Sequence, residues 1–124
     1  MKFSSQNQTG LLPPGDESLE PTLDLNRYLI EHPTSTFFMR VRGNSMLGSG
    51  IHEGDLLIVD RSLTAQDKKV IVAIWNGEFS VKMLRRKESR FFLESTTAGY
   101  PLLEITPESD FQIWGVVTNV IHPL

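Results

Sequence analysis

Cysteine is absent from the 124-residue chain. That excludes disulfides, thiolate nucleophiles and Cys-ligated zinc, and it fits a reducing compartment. Long apolar runs are missing too. No stretch approaches the ~20 residues that cross a bilayer, and the N-terminus lacks the basic-then-apolar pattern of a signal peptide. A soluble, cytoplasmic protein without membrane contact is therefore expected. Positive charge is in deficit: 12 Lys and Arg stand against 15 Asp and Glu, a net charge of −3. A general nucleic-acid binder needs surplus cations for phosphate contacts, so little or no direct DNA binding is expected. There are only three histidines, His32, His52 and His122. None has a second histidine or a carboxylate at ligand spacing, so no metal is expected. Phosphate-cradling and dinucleotide fingerprints are absent, and no cofactor is expected.

What is present suffices for one domain with a single modest core. Residues 1–23 stand apart. "SSQNQTG" is polar, and "LLPPGDESLEPT" carries three prolines and a glycine, which predicts an extended arm. Its leucines, Leu11, Leu12, Leu19 and Leu23, leave two readings open, a frayed terminus or a segment docked on the body. Over 24–124 a compact β domain is expected. Asp24 caps a short helix with Leu25, Tyr28 and Leu29 on one face, and Pro33 stops it. "TFFMRVRG" alternates, placing Phe37, Met39 and Val41 on one side of a strand. "DLLIVD" (55–60) and "KVIVAIW" (69–75) are continuous apolar runs, as in strands buried on both faces. Asn76-Gly77 predicts a two-residue hairpin, with "EFSVKML" as the return strand. "RRKES" reads as a turn, "RFFLEST" as a strand, "TAGYPLLEITPESD" as a loop or short irregular strand, and "FQIWGVVTNVI" as a long final strand. The sum is a mainly β fold with one or two short helices.

Two stretches carry the candidate chemistry. "GNSMLGSGIHEGDLLIVD" (43–60) is either a plain turn feeding a buried strand or a loop whose glycines display Ser45. A displayed serine needs a base. His52 would have to fold back over seven residues, and the solvated-loop reading suits it better. Lys82 lies within Val, Met and Leu on the return strand, sharing a face with Ser80 and Leu84. It either points to solvent or is desolvated by the Ser45 loop or the arm. Free lysine, with a pKa near ~10.4, is a poor base at neutral pH. Burial lowers that pKa, by roughly 3 units where it is deep. A neutral Lys82 amine can then take the Ser45 proton, as in known Ser–Lys pairs. The N–H groups of Ser45 and Met46 are candidates to face the developing oxyanion. Lys82, Arg85, Arg86, Lys87 and Arg90 also place five positive charges within nine residues. Without interleaved aromatics, this cluster reads as a solvated turn sooner than as a DNA contact.

Gly43-Asn44-Ser45-Met46, then Gly54-Asp55 opening an apolar strand, then a lysine on the next hairpin resemble a known order. It is that of the serine-lysine self-cleaving peptidase family of LexA-type repressors and UmuD mutagenesis proteins. "LDLNRYLIEHP", "GNSM", "GIHEGDLLIVDRSLTA", "GEFSVKML" and "FQIWGVVTNVI" are most similar to UmuD-type segments, in the same order and at matching separations. The resemblance implies a compact twisted-sheet or partly open barrel domain of the LexA-UmuD type, behind an extended arm. It implies Ser45 as nucleophile, Lys82 as general base, and a scissile bond in the arm at Thr9–Gly10. Gly10 is then expected where a side chain would clash with the catalytic loop. Thr9 stands where family members usually carry alanine or cysteine. The resemblance also implies activation by RecA filaments on single-stranded DNA. The shortened homodimer would act with a UmuC-type Y-family polymerase in error-prone translesion synthesis. The alternatives are a non-cleaving interaction module with a vestigial dyad and a fragment of a phage or LexA-type repressor. A repressor head is disfavoured by the single short helix ahead of the first strand, and a signal-peptidase relative by the lack of an anchor.

Overall fold

The computed structural model of the protein describes residues 10, 11 and 24–124. The expected arm, and Thr9 with it, lies outside the described residues except for Gly10 and Leu11, both exposed.

Helix α1 (Leu25–Leu29) begins as its sequence requires, with the Asp24 side chain accepting the Asn26 N–H at 3.0 Å. It ends before Pro33, which instead starts a 3-10 turn over Pro33–Ser35. The apolar stripe of α1 is not core: Leu25 is 57% exposed and Tyr28 71%. Seven strands follow: β1 (Thr36–Arg40), β2 (Leu56–Asp60), β3 (Val70–Trp75), β4 (Glu78–Lys87), β5 (Arg90–Glu94), β6 (Leu103–Ile105) and β7 (Phe111–Ile121). They form one antiparallel sheet in the order β1-β2-β7-β3-β4-β5-β6. Its two edge strands do not meet, so the barrel stays open. β7 bridges two halves, β1–β2 on one side and β3–β6 on the other.

The continuous apolar runs have their explanation in β3. Val72 packs with Val41, Met46, Ile51, Leu57 and Val59. Its neighbours Ile71 and Ala73 belong to a second cluster with Leu84, Leu93 and Val116. Successive side chains of a strand point to opposite faces, so a strand between two cores needs apolar residues at every position. Each large one contributes roughly 1.5–3 kcal/mol by burial. The β3–β4 hairpin turns at Asn76 and Gly77 with φ of 50° and 81°, the left-handed pair that a type I′ turn demands. β7 slips register against β2 between Ile58 and Val59 and against β3 between Val72 and Ala73. Such bulges bend a strand and raise its twist.

One expected turn is corrected. "RRKES" does not turn at Arg85; β4 runs on to Lys87, and the reversal falls at Glu88, whose φ is 57°. Arg85 is held in the sheet by Glu94 at 3.1 Å and Asp67 at 3.6 Å. Arg90 forms a two-pronged pair with Glu104 at 2.8 Å. Arg86 lies over Phe91, and Arg90 and Lys87 over Phe92. The basic cluster therefore sits on two strands, partly over aromatics, with Arg85 and Arg90 paired to internal acids. Among the described residues no helix is long and apolar enough to cross a membrane.

Candidate active site

Between β1 and β2 the chain leaves the sheet at Val41 and returns at Asp55. Two backbone bonds close this neck, Val41 N–H to Asp55 O and Gly54 N–H to Val41 O, each 2.9 Å. The loop inside the neck carries Ser45. Gly43 takes a φ of 76°, a left-handed conformation in which an L side chain at this position would be strained. Met46 is buried and plugs the loop into the core that contains Val72.

The loop is fastened on its other side by Thr96 and Thr97, where the sequence predicts no more than a strand end and a loop. Thr97 N–H donates to Ser45 O at 3.1 Å, and Gly48 N–H donates to Thr96 O at 3.0 Å. The Thr97 hydroxyl accepts the Leu47 N–H at 3.0 Å and donates to Asn44 O. Ser49 and Thr96 share a hydroxyl bond at 2.9 Å. Gly48 has to be glycine here, because a Cβ would come within 2.2 Å of Thr96 O. The signal for this clasp was three consecutive hydroxyl residues, Ser95-Thr96-Thr97, directly after a strand. Only the β4–β5 pairing shows that they meet the serine loop. Among the described residues, the Ser45 and Met46 N–H groups donate to no acceptor, so both remain available for an oxyanion.

Lys82 stands opposite Ile71 in the β3–β4 ladder, on the strand face expected from its spacing. It is half-buried, and burial alone pushes its pKa below the ordinary lysine value. Among the described residues its Nζ reaches only the Val81 carbonyl, at 3.4 Å. Lys82 lines a cleft of about 280 Å³ with Phe79, Ser80 and Ser95. The Ser95 hydroxyl is buried, with no partner among the described residues. Ser45 lines an adjoining cleft of about 260 Å³ with Val41, Val81 and the same Phe79 and Ser80. The two candidate residues thus flank one short piece of β4. No hydrogen bond joins the Ser45 hydroxyl to the Lys82 amine in this state. Gly10 is exposed and a Cβ built on it meets nothing within 4 Å, so the expected clash with the loop is not made in this state.

The histidines also need correction. Sequence spacing offered none of them a partner, yet the fold gives each a carboxylate. His32 Nδ1 lies 2.6 Å from Asp60, and His122 Nδ1 2.5 Å from Asp55. His52 lies 3.7 Å from Asp55, facing His122 and engaged away from Ser45. Burial tends to raise the Asp60 carboxyl, but hydrogen bonds from Ser62, His32 and Ser35 overcome it and hold the pKa at about 2. The hydrogen bond to Asp60 raises the His32 pKa in turn. For Asp55, burial again works upward, and the His52 N–H and His122 together bring the net shift downward.

The sequence profile described as Peptidase S24-like matches residues 3–118. MucA of Salmonella typhimurium is 42% identical over 105 residues, covering 82% of this chain and 71% of its own. SamA of Salmonella typhimurium strain LT2 is 40% identical over 120 residues, 97% of this chain and 83% of its own. LexA repressor 1 of Geobacter sulfurreducens is 32% identical over 118 residues, 94% of this chain and 58% of its own. Fold and matches together define the class, an open β domain of the LexA-UmuD type. The chain belongs to the Peptidase S24-like family. Its identity with MucA and SamA over most of their length makes it a UmuD-like member.

Proposed function

We propose that the protein is a serine-lysine peptidase that cuts its own arm at Thr9–Gly10, with Ser45 as nucleophile and Lys82 as general base. The observation that carries this reading is the desolvated Lys82 amine, whose lowered pKa has burial as its only cause, one strand position from the wall of the Ser45 cleft. The neutral amine removes the Ser45 hydroxyl proton as Oγ adds to the Thr9 carbonyl carbon. Negative charge on the carbonyl oxygen is met by the free N–H groups of Ser45 and Met46. Collapse breaks the C–N bond, and the Lys82 ammonium returns its proton to the Gly10 nitrogen. Water, deprotonated by the same amine, then releases the acyl group from Ser45.

Two movements separate the present state from reaction. The Lys82 amine must reach the Ser45 hydroxyl, and Gly10 must enter the cleft. Activation then consists of favouring that docked conformation, the role proposed for RecA filaments on single-stranded DNA. In this reading the shortened protein, as a homodimer, serves a UmuC-type Y-family polymerase in error-prone translesion synthesis during the SOS response. The same separation of Ser45, Lys82 and Gly10 favours a second reading, a non-cleaving interaction module. Incubation with RecA, single-stranded DNA and nucleotide distinguishes them. Self-cleavage yields a shortened band whose N-terminus reads "GLLPP"; an interaction module stays at full length.

A further inference from the structure

Asp55 opens the return to β2 and is 1% exposed. Two imidazoles flank it from segments far apart in the chain. His122, just beyond β7, places Nδ1 2.5 Å from Asp55 Oδ1. His52, three residues before Asp55, places Nδ1 3.7 Å from Oδ2. The rings face one another with centroids 4.7 Å apart. One ligand atom from each of the three residues falls within 4.8 Å of the other two. The His52 peptide N–H donates to Asp55 Oδ2 at 2.8 Å, fixing the carboxylate from behind as supporting hydrogen bonds do for ligands. None of these side chains lines the Ser45 or the Lys82 cleft.

We propose that His52, Asp55 and His122 form a binding site for a divalent transition-metal ion, with zinc the best match. The donor set is two imidazole nitrogens and one carboxylate oxygen. Magnesium and calcium favour oxygen donors throughout, whereas mixed nitrogen and oxygen donors suit zinc and its first-row neighbours. Zinc holds such ligands at about 2.0–2.2 Å, so the three atoms have to close up somewhat around the ion. The means are present. Asp55 is fixed, while the His52 and His122 side chains are 48% and 44% exposed and can turn toward it, leaving a path from solvent. Binding at His122 Nδ1 requires the tautomer whose proton sits on Nε2, so the hydrogen bond to Asp55 Oδ1 is exchanged for two bonds to the ion, and a fourth position stays open to a water molecule. The bound ion would bolt the end of β7 to the neck of the Ser45 loop, since Asp55 O is the acceptor that closes that neck.

The test is calorimetric titration of zinc into the untagged, metal-stripped full chain, with cobalt as a spectroscopic substitute. Expected are saturable one-to-one uptake and the intense visible bands of low-coordinate cobalt. His52→Ala and His122→Ala should each weaken uptake by at least about tenfold, while His32→Ala retains it. Both variants alter half-exposed side chains, and circular dichroism checks that they fold. Zinc should raise the unfolding temperature of the parent protein and not that of His122→Ala. Absence of saturable uptake, or uptake unchanged in either variant, would overturn the proposal and leave a hydrogen-bonded brace. None of these readouts depends on self-cleavage.

Discussion

Ser45 and Lys82 are held in place by different means. Lys82 sits in the middle of β4, with β3 paired along one side and β5 ending beside the next residue, Met83. Moving its backbone would break the ladder on which one core depends. Ser45 sits in a loop whose position rests on Met46 as a plug and on a few hydrogen bonds to Thr96 and Thr97. The proposed base belongs to the scaffold, and the proposed nucleophile belongs to a clasped loop. Adjustment between the two is therefore easier on the serine side. Substitutions in the clasp should change cleavage more than they change the stability of the sheet.

The largest effect is expected where the comparison does not apply, because chemistry needs both groups. Ser45→Ala and Lys82→Ala should each abolish RecA-stimulated cleavage on gels, and the double variant should be no worse, as for groups that act as a unit. A Lys82→Ala protein that still cleaves at the parent rate would remove the dyad from consideration. Next comes Gly48→Val, which drives a side chain into the Thr96 carbonyl. We expect a loss of roughly 1–3 kcal/mol by chemical denaturation and a larger proportional loss of cleavage. If cleavage follows global stability alone, the clasp is only part of the scaffold. Thr97→Val removes the hydroxyl that bridges Leu47 and Asn44, and should cost about 1 kcal/mol while slowing cleavage on the same gels.

Titration sharpens the Lys82 side of the comparison. Its folded pKa is depressed, so between that value and the unfolded ~10.4 the unfolded chain binds more protons. Stability from this group is lowest below the folded pKa and rises with pH across that window. Lys82→Met should accordingly raise the unfolding temperature at neutral pH while eliminating cleavage. In the parent protein the spontaneous rate should climb with pH and level off once the amine is neutral; a maximum near pH ~6–7 would indicate a histidine instead. The smallest effect is expected at the far end of β2. Asp60, held at about 2, contributes stability that is present above its unfolded value of ~3.9 and lost as pH falls toward 2. The raised His32 pKa contributes below about 6.5 and is lost as pH rises through the folded value. His32→Ala should thus cost more stability at pH ~5 than at pH ~9, as followed by thermal melts.

Much of this architecture was legible because it is local. Asp24 as a cap, Asn76-Gly77 as a turn and the apolar run of β3 each depend on neighbours in sequence, and the fold has them where they were expected. The end of β4 was not legible. Arg85 and Arg86 look like turn residues until Glu94, Asp67 and Phe91 arrive from other parts of the chain to hold them in a strand. The same distinction divides the site. Ser45 and Lys82 stand out by glycine content and by an anomalous lysine among apolar residues. The Thr96–Thr97 clasp shows in the sequence only as a run of hydroxyl residues whose partners lie 50 positions away, and His122 joins His52 and Asp55 from 67 positions beyond Asp55. Even the stripe on α1 misled, because a 3.6 period shows only which side chains share a face and not whether anything covers that face.

The position of β7 between β2 and β3 has a consequence during synthesis. On the ribosome, the half of the sheet that carries Ser45 and the half that carries Lys82 are both made well before the strand that unites them. Pairing of β2 with β7 joins residues about 60 positions apart, and such distant contacts form late because their loops close at high entropic cost. Until residues 111–121 clear the exit tunnel, neither half has its central neighbour, and β2, behind the Ser45 loop, is not joined to β3 and β4, which carries Lys82. If the protein cuts its own arm as proposed, the order in which its strands are made keeps a nascent chain from doing so before β7 is in place.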